Sequence, residues 1–195
     1  MPKQLLIIFV KNIVLGKVKT RLAKTIGNTG ALNVYKALYN ITQTETLKLN
    51  IDRHVYFSDV VNNSSWPGDK KFTQNGNGIG ERMLNAFKAG FNKGYEQIVL
   101  IGSDLPDISE AIITSGFKAL KYSDIVFGPA QDGGYYLVGM KNFQPTLFLN
   151  KPWSQPNLLK ETLTDVNSYS LLKELNDIDT IEDLRTSFIN KQFEF

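Results

Sequence analysis

The segment Lys11–Leu22 carries four cations, Lys11, Lys17, Lys19 and Arg21, around the single glycine Gly16. It follows Leu5-Leu6-Ile7-Ile8-Phe9-Val10, an apolar run that reads as a strand buried on both faces of a parallel sheet. In open α/β sheets, ligands bind beyond the carboxyl ends of the strands, so cations clustered there favour an anion such as a phosphate. The plainer alternative is a solvated basic loop, since Lys and Arg are usually exposed. The segment is not a Walker P-loop, because the G-x-x-x-x-G-K-[ST] spacing is missing.

Two acidic segments complement the basic one. Ser103-Asp104-Leu105-Pro106-Asp107 leaves the most strand-like run in the middle of the chain. A carboxylate there suits magnesium or manganese, which take one or two carboxylates together with substrate oxygens. Asp104 is assigned that role, and Asp107 is read as help in capping the next helix. Asp177-Ile178-Asp179-Thr180-Ile181-Glu182-Asp183 carries two readings. Asp179 or Thr180 caps a last helix with Glu182 and Asp183 in its first turn, or a carboxylate of this segment completes a metal site begun by Asp104.

Glycines mark two further candidates. Gly76-Asn77-Gly78-Ile79-Gly80 resembles a dinucleotide turn, but a third glycine at Rossmann spacing would fall on Glu81, and the run follows the third strand rather than the first. It still lets backbone N–H groups approach a ligand at a helix start. Asp132-Gly133-Gly134-Tyr135-Tyr136 is at least a hairpin turn, with room for a ligand beside two tyrosines.

Composition narrows the chemistry. The 195 residues contain no cysteine and one histidine, His54, inside the strand-like run Arg53–Phe57. Thiol nucleophiles, thiolate metal sites and disulfides are excluded, and no Gly-x-Ser-x-Gly elbow accompanies the histidine. Chemistry must therefore rest on carboxylates, cations and a hard metal ion. A net charge of +3 fits an anionic small molecule but not nucleic acid, for which a basic stripe interleaved with aromatics is missing. The start, Met1-Pro2-Lys3, shows no cleavage signature, and no apolar run is long enough for a membrane span. The expectation is a cytoplasmic protein with one domain over 1–195.

The elements that must position these residues alternate. After the first strand, apolar spacing from Gly30 to about Asn50 predicts a helix, followed by a strand near Arg53–Ser58, a polar loop through 62–68 and a short strand at Lys71–Gln74. Glu81 opens a second helix; Gln97–Gly102 is a strand, and Ser109 with Glu110 starts a helix to about Tyr122. Asp124–Ala130 and Tyr135–Met140 form a hairpin, a helix lies near Pro156–Leu163, Leu171 begins the closing region, and Thr180–Ile189 is a final helix. Such alternation means βαβ units and a mostly parallel sheet with helices on both faces.

Taken together, these motifs resemble a bacterial family of GT-A-fold transferases, labelled glycosyltransferase-like or selenodomain-associated, more distantly similar to 2-phospho-lactate guanylyltransferase. The resemblance rests on Phe9, Lys11, Gly16 and Lys19–Leu22, on Gln74 and Ile79–Met83, on Gly102–Pro106, on Gly128–Gly139, on Trp153-Ser154 and on Asp177–Leu184. The chain departs from the pattern at Ile13 and Leu15, where prolines are usual.

The resemblance implies a GT-A-like α/β domain that binds a nucleoside triphosphate or a nucleotide sugar, plus a small-molecule acceptor. It implies Mg2+ or Mn2+ held by Asp104 and Asp179, phosphates near Lys11, Lys19 and Arg21, and a base near Gln74 and Gly80. Gly16, Thr20, Asp132, Gly133, Gly134 and Tyr135 complete the expected substrate-binding set, with Lys19, Arg21 and Asp104 as the catalytic residues. The expected reaction is metal-dependent nucleotidyl transfer. A glycosyltransferase is the alternative, disfavoured because Asp104 and Asp107 are one residue too far apart for a D-x-D pair. A nucleotide-binding module without turnover is the third reading.

Overall fold

A computed structural model describes Pro2–Phe193. Seven strands form one sheet: β1 (Gln4–Val10), β2 (Asp52–Phe57), β3 (Lys70–Thr73), β4 (Gln97–Ile101), β5 (Ile125–Pro129), β6 (Tyr135–Met140) and β7 (Tyr169–Leu171). Their order is β3-β2-β1-β4-β6-β5-β7. All neighbours run parallel except β6, which is antiparallel to both β4 and β5. The Asp132-Gly133 turn makes β5–β6 the expected hairpin.

Alternation along β1 splits the core into two layers, as a period of two requires. Leu6, Ile8 and Val10 pack with Tyr35 and Tyr39 of α1 (Thr20–Leu47) and with Ile113 and Phe117 of α3 (Glu110–Ala119). Leu5, Ile7 and Phe9 pack with Met83 and Phe87 of α2 (Ile79–Asn92), and Leu159 and Leu163 of α4 (Leu158–Leu163) lie against the same layer. A third cluster joins Leu22, Val34 and Leu38 of α1 to Ile178 and to Ile181 and Leu184 of α5 (Ile181–Thr186). This contact carries the acidic segment near residue 178 to the start of α1.

Several boundaries differ from expectation for identifiable reasons. The first helix begins at Thr20, ten residues before the apolar periodicity suggested, with a break at Gly27 (φ 73°, ψ 165°) that interrupts the sequence pattern. Leu22, fully buried, anchors the early turn by tertiary packing. Thus Thr20 and Arg21 belong to a helix start rather than a loop. The cap of α3 is Ser109, whose hydroxyl accepts from the Ile112 N–H, so Asp107 does not cap it. Three residues, Tyr169–Leu171, form an edge strand, and α5 stops at Thr186 before a short 3-10 turn. Trp66 sits in the polar 62–68 loop yet is fully buried, its indole N–H donating to the Tyr39 hydroxyl. Among the described residues no helix is long and apolar enough to cross a membrane.

Candidate active site

The site forms where β1, β4 and the segment before α5 end on the same side of the sheet. Lys19, the residue before α1, adopts the left-handed conformation (φ 46°, ψ 49°) and is buried. A non-glycine residue in that region is uncommon, and such strain persists only where surroundings enforce it. Val18 before it and Leu22 after it are both buried. Lys19 Nζ lies 3.2 Å from Asp104 Oδ2 and 3.0 Å from Asp179 Oδ1. Arg21 Nη1 stands 3.5 Å from Asp179 Oδ2, with most of its side chain exposed.

The carboxylates are held by the backbone around them. The Ile178 N–H donates to the Asp104 carbonyl at 3.3 Å, which fastens the two segments together. A Cβ on Gly102 would come within 2.8 Å of Asp104 Oδ1, so only glycine leaves that carboxylate its place. Thr180, not Asp179, caps α5: its side chain accepts from the Asp183 N–H, and Asp183 Oδ2 accepts the Asp179 and Thr180 N–H groups at 3.1 and 2.7 Å. The Asp179 carboxylate is thereby left to face Lys19.

Charge coupling follows the geometry. Burial alone would depress the Lys19 ammonium, but Asp104 and Asp179 outweigh it and its pKa is raised. Burial likewise opposes ionisation of Asp104, and Lys19 outweighs it, so the carboxyl sits below its usual value. Asp177 is pushed up to about 7, first by burial and then by Asp104, with Lys19 opposing. Carboxylate oxygens of Asp104, Asp177 and Asp179 lie within 4.8 Å of one another, a spacing and chemistry suited to a hard divalent cation.

Asp177 was legible in principle. The carboxylates of Asp177 and Asp179 meet within 4.8 Å while Ile178 between them, 1% exposed, goes into the core, an alternation the spacing already carries. Tyr35 was also missed as a positioning residue. Its hydroxyl accepts the Lys11 N–H at 2.8 Å, donates to the Lys11 carbonyl and lies 2.9 Å from Ser103 Oγ, tying the basic loop to the end of β4.

The other expected residues divide. Lys11, Gly16 and Thr20 are exposed along the rim, with Gly16 at φ 76° in the turn. Gln74 donates its amide to the carbonyls of Val10 and Tyr56 at 3.3 and 3.0 Å, so it braces the ends of β1 and β2. Asp132, Gly134 and Tyr135 line a cavity of about 330 Å³ together with Asp104 and Asp177. Gly133 forms the hairpin turn at φ 87°, beside Pro156. A Cβ on Gly80 would fall 2.5 Å from the Trp153 indole, which itself lines the cavity.

Comparison with known proteins accords with this geometry. A search of curated proteins found no significant match. Among solved structures, a candidate nucleotide-diphospho-sugar transferase from Desulfovibrio desulfuricans G20 is 29% identical, with a TM-score of 0.89 over 98% of this chain and 91% of its own. The 4-diphosphocytidyl-2C-methyl-D-erythritol synthase of Anaerococcus prevotii DSM 20548 shares the fold at 11% identity (TM-score 0.62, 98% and 99% coverage). So does the Rv0371c protein of Mycobacterium tuberculosis H37Rv in complex with manganese, at 13% identity (TM-score 0.56, 95% and 97% coverage). The α/β sheet with its antiparallel β6 is the nucleotide-diphospho-sugar transferase fold. The profile of the family described as "Uncharacterized protein conserved in bacteria (DUF2064)" matches residues 47–155, more than half of the sequence, and the chain belongs to that family.

Proposed function

We propose that the protein is a metal-dependent nucleotidyltransferase that moves a nucleoside monophosphate from a nucleoside triphosphate to a small acceptor. The observation that carries this reading is the meeting of Lys19, Asp104 and Asp179 at one sheet edge, from segments 85 and 160 residues apart in sequence. Helix capping cannot account for it, because Ser109 and Thr180 cap α3 and α5. The fold it shares with a diphosphocytidyl synthase and with a manganese-bound protein supports the same reading.

In the reaction, the acceptor oxygen forms a bond to the α-phosphorus as the bond to the bridging oxygen breaks. Pyrophosphate leaves with that electron pair, and the acceptor proton passes to solvent. Such a step needs alignment and charge neutralisation more than a strong base. Lys11, Lys19 and Arg21 receive the triphosphate, and Arg21, exposed and beside Asp179, is free to close on the departing charge. Asp104 and Asp179, with Asp177 beside them, would hold Mg2+ or Mn2+, whose contribution is to neutralise phosphate oxygens.

The test is a panel of nucleoside triphosphates and nucleotide sugars scored by thermal shift with and without Mn2+. A ligand at a hundred times its dissociation constant adds about 2.7 kcal/mol. Asp104→Asn and Asp179→Asn should each remove the metal-dependent part. Metal-dependent nucleotide binding that survives in Asp104→Asn overturns the site.

A second reading has its own observation. Asp177-Ile178-Asp179 supplies the D-x-D spacing that Asp104 and Asp107 lack, which favours a glycosyltransferase using a nucleotide sugar, as does the candidate nucleotide-diphospho-sugar transferase at 29% identity. Product analysis separates the two: pyrophosphate is released in the first case and a nucleoside diphosphate in the second.

A further inference from the structure

The cavity beside the carboxylates has a lining at odds with a phosphorylated acceptor. Its walls are apolar and aromatic, with Phe9, Met83, Tyr135 and Trp153 among them, and its charged residues are Asp104, Asp132 and Asp177. Among the described residues no lysine or arginine lines it. The cations of the site are Lys19, just before α1 and bonded to the Asp104 carboxylate, and Arg21, in the first turn of α1 beside Asp179. Tyr135 lines the same cavity, and its hydroxyl is buried and makes no hydrogen bond.

A phosphate or carboxylate entering here would meet like charge at Asp132, which makes no ion pair among the described residues, whereas Asp104 is paired with Lys19. Hydroxyl and ammonium groups do the opposite: they donate to carboxylates, while aromatic walls accept the apolar face of the same molecule. We propose that this cavity is the acceptor subsite and takes a small hydroxyl- or amine-bearing molecule with an apolar face and no phosphate, with Asp132 as the residue that sets this preference. The proposal rests on the transferase reading for the word acceptor, but the preference for charge belongs to the cavity alone.

Trp153 makes the cavity observable. The chain has two tryptophans, and the other, Trp66, is fully enclosed against Tyr39. Benzylamine, benzyl alcohol and benzyl phosphate share one ring and differ in the head group, so titrating each against tryptophan emission reads the preference directly. Benzylamine and benzyl alcohol should bind at least tenfold more tightly than benzyl phosphate, and the signal should vanish in Trp153→Phe. Asp132 is exposed, so its replacement leaves the core untouched. Asp132→Lys should reverse the order, while Asp132→Asn should weaken benzylamine alone and keep an acceptor for the Gly134 N–H that the aspartate now holds at 2.8 Å.

Tighter binding of benzyl phosphate to the unaltered protein overturns the proposal. So does an unchanged order in Asp132→Lys, the absence of any Trp153 response, or displacement of benzylamine by a free nucleoside. Binding of a nucleoside triphosphate with Mn2+, followed by thermal shift on the same preparations, fails independently: its loss overturns the nucleotidyl reading and leaves the cavity preference standing.

Discussion

Lys19 Nζ lies 3.0 Å from Asp179 Oδ1, and the same ammonium is 3.2 Å from Asp104, so one buried lysine bridges two carboxylates from opposite ends of the chain. The lysine pays for this position with left-handed backbone. Its ammonium holds the acidic cluster together and occupies oxygens that a divalent ion, on the proposed reading, would need.

Removing that bridge has two consequences of opposite sign. Lys19→Met should lower the stability of the free protein by about 2 kcal/mol, less than for a fully enclosed pair because both carboxylates are 40% exposed. It should also tighten Mn2+ binding in the absence of nucleotide, because a competing cation is gone. The stability deficit should grow as pH rises through about 7, where Asp177 ionises and no longer has Lys19 to favour its charge. The Lys19–Asp104 pair itself adds no slope there, since the raised Lys19 pKa keeps its contribution whole below 10.5 and the lowered Asp104 pKa keeps it whole above 3.8. Denaturant titrations at several pH values, with an Mn2+ titration followed by electron paramagnetic resonance, check both statements.

Arg21 should behave differently from its neighbour. Its side chain is 68% exposed and its approach to Asp179 is long, at 3.5 Å. Arg21→Ala should leave the melting temperature of the free protein nearly unchanged and weaken nucleotide binding by about 1.5–3 kcal/mol, the range for a charged hydrogen bond. Calorimetric titration with a nucleoside triphosphate measures the loss. A large drop in free-protein stability with unchanged binding would make the arginine structural.

Asp183 acts on the site through Asp179. Its carboxylate takes the backbone N–H groups of Asp179 and Thr180, and Asn176 donates to its other oxygen at 2.9 Å. Burial raises its pKa, but these donors outweigh burial and the net shift is downward. A lowered carboxyl pKa means stability present above the ordinary 3.8 and lost as pH falls through the folded value. Asp183→Asn should therefore cost about 1 kcal/mol at pH 7, with the difference from the unaltered protein closing in acid. Mn2+ binding should weaken at the same time, because Asp179 is no longer held.

The hairpin offers a graded comparison. A Cβ on Gly133 would fall 1.9 Å from the Pro156 carbonyl oxygen, at φ 87°, whereas one on Gly134 meets only Asp132 Oδ1 at 3.1 Å. Gly133→Ala should cost about 2 kcal/mol or more and loosen α4, whose Leu159 N–H donates to the Gly133 carbonyl. Gly134→Ala should cost less than about 1 kcal/mol. Gly134→Val, reaching into the cavity that Gly134 lines, should abolish activity while the fold is kept. Thermal unfolding and a turnover assay on the three variants separate the effects.

Much of this was decided by residue order alone. The unbroken Leu5–Val10 run, the alternation of strands with helical periods and the Asp132-Gly133 turn were sufficient for the sheet, its mostly parallel order and its hairpin, because burial on both faces leaves a local trace in sequence. The cations at 19 and 21 and the carboxylates at 104 and 179 were visible as candidates for the same reason: strand ends and turns are locally encoded. What sequence could not decide was which neighbours those groups would find. Asp179 had equal claims as a cap and as a ligand until Thr180 and Asp183 took the cap between them. Gln74 looked available to a ligand until its amide met the carbonyls of Val10 and Tyr56. The early start of α1, the burial of Lys19 between two acids and the recruitment of Asp177 and Trp153 all depend on contacts between segments far apart in the chain. Such contacts are set by packing, which selects among conformations that local propensity leaves nearly equal in energy.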